Sequence, residues 1–90
     1  MISVIIPTFD EGELSSLISL IQKRAMEKDF EIIVVEGGKR QYALEGVRVF
    51  YGSKGRGKQM NLGSKQAKGS VLLFLHADTQ LPFHWDFHIQ

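Results

Sequence analysis

Short apolar runs alternate along this 90-residue chain with segments whose apolar residues recur at helical spacing. The runs lie at residues 2–6, 31–35, 47–51 and 71–75, and the helical segments at 14–25 and 59–68. Apolar runs without polar alternation are typical of strands buried on both faces of a parallel sheet, and only the third run alternates. Strands joined through helices make right-handed crossovers. We therefore predict an α/β fold: a Rossmann-like parallel sheet in the order 3-2-1-4, with helices on both faces.

Local signals refine this prediction. Asp10 precedes Glu13 by three residues, which predicts a capping box at the start of the first helix. In the second helical segment, the small residues Gly63 and Ala67 are four positions apart and predict close packing on the sheet.

The C-terminal tail fits two structures. Its apolar residues alternate with polar ones, as in a strand: Phe83, Trp85, Phe87 and Ile89. Leu81, Trp85 and Ile89 also have helical spacing, and Pro82 is suited to the first position of a helix. Both alternatives stay open at this stage.

Composition excludes several classes of protein. The chain has no cysteine, which excludes disulfides, thiolate catalysis and cysteine-ligated zinc. No apolar run approaches the roughly 20 residues that span a bilayer. The N-terminus lacks the basic start of a signal peptide. We expect a cytoplasmic protein that does not span a membrane.

Charge is distributed unevenly. Residues 39–68 carry eight basic residues and one acidic residue, although the net charge of the whole chain is only +1. A cationic middle favours an anionic partner such as a phosphate group, and its alternative interpretation is a solvated basic face.

Polar residues follow three of the predicted strands. Parallel sheets bind ligands beyond the carboxyl ends of their strands, where the strand order reverses. Asp78 follows the most apolar strand and could hold Mg²⁺ or Mn²⁺, or could cap a turn. His76 is a candidate second metal ligand, although a lone histidine there is more often a packed residue.

Four segments, in order, resemble family 2 glycosyltransferases, which have the GT-A fold. Residues 2–11 resemble the opening strand with its Pro-Thr-aromatic-Asn-Glu, and 32–38 resemble the second strand. Residues 55–63 resemble the glycine-arginine stretch with its asparagine-containing helix, and 68–79 resemble the fourth strand with the metal-binding Asp-x-Asp.

The resemblance implies a nucleotide-sugar donor as the partner and a divalent cation, Mg²⁺ or Mn²⁺, as the cofactor. It implies no nucleic acid partner. It assigns metal binding to Asp78, with His76 as the candidate second ligand. It assigns nucleotide-sugar binding to Pro7, Thr8, Asp10, Glu11, Glu36, Arg56, Lys58 and Asn61.

The chain departs from the family pattern in three places. Asp10 stands where the family usually has asparagine, and Glu36-Gly37 stands where Asp-Asp is frequent. His76 stands where the first aspartate of the metal motif usually lies. These departures leave the choice of nucleotide base open.

The resemblance also places the acceptor site and the general base of the inverting displacement after the metal motif. The chain ends twelve residues beyond Asp78. We therefore expect residues 1–90 to form a nucleotide-sugar-binding subdomain that lacks the C-terminal acceptor half and is inactive alone. We also expect the apolar tail to be exposed and to drive homo-oligomer formation.

Three other interpretations remain. Residues 52–58 nearly match a nucleoside-triphosphate-binding loop, but Gln59 replaces its final serine or threonine. The basic middle would suit a nucleic-acid-binding module, although aromatic residues are not interleaved through it. His84, Asp86 and His88 could form a transition-metal site.

Overall fold

The computed structural model describes residues 1–77 and 81–89. Its helices and strands are, in chain order, β1 (Ile2–Thr8), α1 (Ser15–Arg24), β2 (Phe30–Glu36), β3 (Arg48–Tyr51), α2 (Arg56–Gln66), β4 (Val71–Phe74) and α3 (Trp85–Ile89). The four strands form one sheet in the order β3-β2-β1-β4, and every neighbouring pair is parallel. The predicted α/β class and strand order are confirmed.

Side chains of β1 alternate between two apolar clusters, one on each face of the sheet. Val4 and Ile6 pack with the buried face of α1 and with Trp85 of α3. Ile5 packs on the opposite face, where Leu62 of α2 covers it. The predicted placement of helices on both faces is therefore confirmed.

Close approach between α2 and the sheet depends on Gly63. A Cβ atom at this position would lie 2.5 Å from Cγ2 of Ile5 and 3.2 Å from Cγ2 of Val35. Ala67, directly after α2, packs against the same cluster. The close packing predicted from these two small residues is confirmed.

The start of α1 differs from the predicted capping box. The helix begins at Ser15, and it is Glu13 that accepts a hydrogen bond from the Ser16 N–H, at 3.1 Å. Asp10 takes no part in this cap, because its carboxylate accepts hydrogen bonds from the backbone of Lys39 and Arg40. The capping-box prediction is wrong. The second helix also begins at Arg56, three residues before the predicted start.

The C-terminal tail is a helix that is anchored to α1. Trp85 is only 1% exposed, and its Nε1–H donates to the carbonyl oxygen of Ile21 at 2.8 Å. The backbone N–H of His84 donates to the carbonyl oxygen of Arg24 at 2.6 Å. The helical alternative is confirmed, although the helix begins at Trp85 rather than at Pro82. The expectation of a wholly exposed tail is wrong, because Leu81 and Trp85 are buried.

Asp86 is buried against the turn that follows α1. Its carboxylate accepts hydrogen bonds from the N–H groups of Met26, Glu27 and Lys28, at 2.6, 2.8 and 3.2 Å. Burial acts to raise the pKa of Asp86, but these three N–H groups outweigh it and lower the pKa. A carboxylate held in this way is a backbone cap. This role of Asp86 disfavours the alternative of a transition-metal site with His84 and His88.

Within residues 1–77 and 81–89, no three histidine, cysteine or acidic residues form a group that could hold a metal ion. Nor does any helix there have the length and apolarity needed to cross a membrane.

Substitution of two glycines in α2 tests the close approach of this helix to the sheet. Gly63→Ala should lower the free energy of unfolding by about 1 kcal/mol, because overpacking outweighs the gain in helix propensity. Gly57→Ala is the matched control, because a Cβ there meets nothing within 4 Å. The gain in helix propensity should therefore raise the free energy of unfolding of this variant. Urea denaturation of both variants checks this. Equal stabilisation by both would contradict the packing of α2 described above.

Candidate functional site

A crevice opens at the carboxyl end of the sheet because Pro7 interrupts the pairing of β1 with β4. The last ladder bond joins the N–H of Leu75 to the carbonyl oxygen of Ile5, at 3.0 Å. In a parallel ladder the next bond would come from the N–H of residue 7, which proline lacks. β1 instead continues beside β2 as far as Thr8. The chain after Leu75 can therefore diverge at the point where the strand order reverses.

Two cavities occupy this crevice, and together they form what we call the rim cleft. The larger has a volume of about 380 Å³ and is lined by Pro7, Glu11, Glu13, Leu14, Arg56, His76 and Ala77. The smaller has a volume of about 240 Å³ and is lined by Pro7, Thr8, Phe9, Glu11, Lys54, Gly55, Arg56 and Gln59. Pro7, Glu11 and Arg56 line both cavities, so they mark the boundary between them.

The rim cleft carries charges of both signs. Lys54 supplies a cation from the loop before α2, and Arg56 supplies one as the first residue of α2. Glu11 and Glu13 supply carboxylates from the segment after β1. The Nζ atom of Lys54 lies 4.5 Å from the ring centroid of Phe9, which is 46% exposed. An aromatic face beside cations is suited to a nucleotide, which has a ring system and phosphates.

Glu36 lies beneath the rim and is fully buried. Its Oε1 accepts hydrogen bonds from the hydroxyls of Thr8, at 2.7 Å, and Tyr42, at 2.8 Å. Its Oε2 accepts from the backbone N–H groups of Asp10, at 2.8 Å, and Gly38, at 2.6 Å. One carboxylate therefore joins the ends of β1 and β2 to the segment that follows β2.

This network shifts two pKa values in opposite directions. Burial acts to raise the pKa of Glu36, but hydrogen bonds from the Asp10 N–H, Thr8 and Tyr42 outweigh it and lower the pKa. Burial and the adjacent Glu36 carboxylate raise the pKa of Tyr42. Glu36 is therefore ionised and Tyr42 is a neutral donor at neutral pH.

Asp10 occupies a left-handed backbone conformation, with φ of 49°. Asparagine and aspartate tolerate this conformation better than most residues. Its Oδ1 accepts hydrogen bonds from the N–H groups of Lys39, at 2.8 Å, and Arg40, at 3.0 Å, and these bonds lower its pKa. Asp10 thus orders the segment after β2.

The structure separates the predicted site residues into groups. Pro7, Thr8, Glu11, Arg56 and the predicted metal ligand His76 line the rim cleft. Asp10 and Glu36 lie beside it in the hydrogen-bond network. Lys58 and Asn61 are exposed on α2 and line neither cavity. Asp78 lies outside the described residues.

Two residues of this region were not identified as site residues from the sequence. Tyr42 lies in a polar segment, and no local pattern indicates that its hydroxyl reaches Glu36. Gln59 is buried beside the smaller cavity. Its only signal in the sequence was the mismatch with the final hydroxyl of a phosphate-binding loop.

Comparison with known proteins establishes the class of this chain. The family model of glycosyl transferase family 2 matches residues 3–88, and the chain therefore belongs to that family. The chain is similar to a solved structure titled "Crystal structure of S. aureus TarS", with a TM-score of 0.72 and 26% sequence identity. The match covers 91% of this chain and 17% of the TarS chain. A comparison with curated proteins gives no significant match.

The sheet in the order β3-β2-β1-β4 and the TarS match show the GT-A glycosyltransferase fold. The nearly matching phosphate-binding loop follows β3, at the edge of the sheet. The amide of Gln59 is bonded to Thr8 and Val35 and supplies no hydroxyl for a magnesium ion. These observations disfavour the nucleoside-triphosphatase interpretation.

Glu36→Gln tests the buried network. An amide offers an N–H group where two donors now point at the carboxylate, so the free energy of unfolding at pH 7 should fall by about 3 kcal/mol. Tyr42→Phe is the milder comparison, because it removes one donor and should cost about 1 kcal/mol.

The pH dependence of stability gives an independent measurement. A lowered folded-state pKa contributes stability that is present above the unfolded value, about 4.3 for glutamate, and is lost as the pH falls through the folded value. Urea titrations between neutral pH and pH 3 should therefore show a smaller decline for Glu36→Gln than for the wild type. Parallel curves would show that Glu36 has no lowered pKa.

Proposed function

We propose that the rim cleft binds the nucleoside-diphosphate part of a nucleotide-sugar donor for an inverting glycosyltransferase. The observation that carries this proposal is the position of Arg56, at the boundary of two cavities in the crevice where the strand order reverses. Parallel α/β sheets bind ligands at this point. Membership of glycosyl transferase family 2 supports the same ligand class.

The two cavities divide the ligand between them in this proposal. The smaller cavity, with the exposed ring of Phe9, receives the nucleoside. Arg56 begins α2, so its guanidinium and the free N–H groups of the first helical turn bind the diphosphate. Lys58, also in that turn, adds positive charge without lining either cavity.

Acidic residues in the same cleft support a divalent cation as part of the site. Glu11 and Glu13 line the larger cavity, and a divalent cation would add to Arg56 in offsetting their repulsion of a diphosphate. His76 lines that cavity as well, and Asp78 follows it in the sequence. An imidazole nitrogen suits a transition ion such as Mn²⁺ better than Mg²⁺, which takes oxygen ligands. When bound, the cation would neutralise charge on the departing diphosphate.

The assignment to residues 1–90 is donor binding. This chain covers 17% of the TarS chain, so most of that protein has no counterpart here. We propose that the acceptor site and the general base come from a part of the enzyme outside these residues. The 90-residue chain alone should then bind a donor without transferring its sugar.

Self-association is a separate part of the proposal. β4 is at the edge of the sheet, and Leu72 and Phe74 on it are 40% and 42% exposed. An unpaired edge strand with exposed apolar side chains can pair with another copy. We propose that the isolated chain forms a homo-oligomer through this edge.

Isothermal titration with a nucleoside diphosphate and Mn²⁺ tests donor binding. The diphosphate and the ion should each raise the affinity for the other, because a bound cation would offset the repulsion between the phosphates and the acidic residues of the cleft. Arg56→Ala should weaken nucleotide binding about tenfold or more, because a charge-assisted hydrogen bond is lost. Lys65→Ala removes the same charge from an exposed position on the same helix and should leave binding within about twofold.

Metal-independent binding would remove the cation from the proposal, as would unchanged Mn²⁺ dependence in both His76→Ala and Asp78→Ala. Equal losses in Arg56→Ala and Lys65→Ala would reduce the site to a diffuse basic surface. Measurable sugar transfer by the 90-residue chain would contradict the restriction to donor binding.

Light scattering tests the proposed oligomer. The wild-type chain should have a mass above that of a monomer at micromolar concentration. Phe74→Lys should shift it toward the monomer, because a charge on the apolar edge disfavours pairing. A monomeric wild type over the whole concentration range would contradict the proposal.

A further inference from the structure

Gln59 is a buried polar residue in the first turns of α2. It is 4% exposed and lies beside the smaller cavity, behind the loop that carries Lys54 and leads to Arg56. Burial of an amide is costly unless each of its polar atoms has a partner. The partners of this side chain therefore indicate what it does.

Both polar atoms of the amide group have partners within the protein. Its Nε2 group donates to the carbonyl oxygens of Thr8, at 2.7 Å, and Val35, at 2.8 Å. Its Oε1 accepts from the backbone N–H of Gly55, at 3.1 Å. Two donors and one acceptor on a side chain of this length are a property of glutamine. Glutamate would face two carbonyl oxygens, and methionine would satisfy none of the three groups.

Residue 59 also holds Gly55 through its own backbone. Its N–H donates to the carbonyl oxygen of Gly55 at 2.9 Å, so both backbone polar groups of Gly55 are bound by one residue. Gly55 has φ of 137°, a conformation that glycine tolerates best. It lies between Lys54 and Arg56. Gln59 thereby fixes the position of these two cations relative to the ends of β1 and β2.

We infer that Gln59 is a positioning residue for donor binding: it fixes Lys54 and Arg56 over the rim cleft by joining Gly55 to Thr8 and Val35. The inference rests on the proposed function of the cleft. Gln59 does not touch the ligand in this role, because all of its polar groups are bound within the protein. It acts on affinity through Lys54 and Arg56.

The same geometry explains the glycine after Glu36. A Cβ atom on Gly37 would lie 2.9 Å from Cδ and from Oε1 of Gln59. A side chain there would require the amide to shift from its position against Thr8 and Val35. An aspartate at 37, frequent in the family, therefore disfavours this placement of Gln59. The pocket has a buried amide behind it in place of an acidic side chain at that position.

The test is isothermal titration with uridine diphosphate and, separately, guanosine diphosphate, each with Mn²⁺. Gln59→Met keeps the side-chain volume and should weaken binding about tenfold. Gln66→Met makes the same change at the end of the same helix and should bind as the wild type does. Gly37→Asp, which displaces the amide from the other side, should weaken binding as Gln59→Met does. Circular dichroism checks that each variant is folded.

A double variant separates positioning from general destabilisation. If Gln59 acts by placing Arg56 and Lys54, the loss of binding free energy in Arg56→Ala with Gln59→Met should be smaller than the sum of the two single losses. Additive losses in the double variant would overturn the inference, as would wild-type affinity in Gln59→Met. Absence of nucleotide binding by the wild type would instead refute the proposed function of the cleft.

Hydrogen exchange of the wild type tests the hold of Gln59 on Gly55 even if no variant folds. The Gly55 amide should exchange at least about tenfold more slowly than in an unstructured peptide. Exchange should slow further when the nucleotide and Mn²⁺ bind, because binding at Arg56 and the hydrogen bonds between Gly55 and Gln59 should stabilise each other. Exchange at the unstructured rate, or no response to a ligand that binds, would overturn the inference.

Discussion

The pairing of β1 on both of its edges is the constraint on which the rest of the structure depends. β1 pairs with β2 along its whole length, whereas its pairing with β4 stops at Ile5 and Phe74. Pro7 has no N–H to extend the second ladder. The fold is therefore tightly paired at one end of its central strand and open at the other. The rim cleft exists because of that asymmetry.

Buried polar side chains organise the open end. Glu36 collects four donors from the ends of β1 and β2 and from the segment after β2. Gln59 donates to carbonyl oxygens of the same two strands, and its Oε1 accepts a hydrogen bond from the N–H of Gly55. Each would be costly to bury without partners, and each has a complete set. Under the proposed function, this scaffold would lower the cost of ordering exposed groups such as Arg56 and His76 when a ligand binds.

The C-terminal helix completes the other face of the sheet. Trp85 fills the apolar cluster between α1 and the sheet, and Asp86 caps the turn after α1. Leu75 and Leu81 are buried in that same cluster. The chain is therefore held to the core on both sides of residues 76–80, where the family resemblance places the metal ligands.

The sequence by itself determined the sheet, its order and the position of the cleft. Runs such as residues 2–6 and 31–35 are apolar at every or nearly every position, and the spacing between them leaves room for one helix. Periodicity of this kind is local, so it can be read without coordinates. The same holds for the small residue Gly63, which indicates close packing of its helix on the sheet. Pro7, Glu11 and Arg56 were also placed at the cleft from the sequence.

Only the tertiary structure decided what the buried polar residues do. Asp10 looked like a helix cap and Asp86 like a metal ligand, because both patterns were judged from neighbours in sequence. Their partners are 29 and 60 residues away, at Lys39 and Met26. Gln59 likewise bonds to Thr8 across 51 residues. A hydrogen bond has a short reach and a strict direction, so its partner is known only when the chain has been brought together.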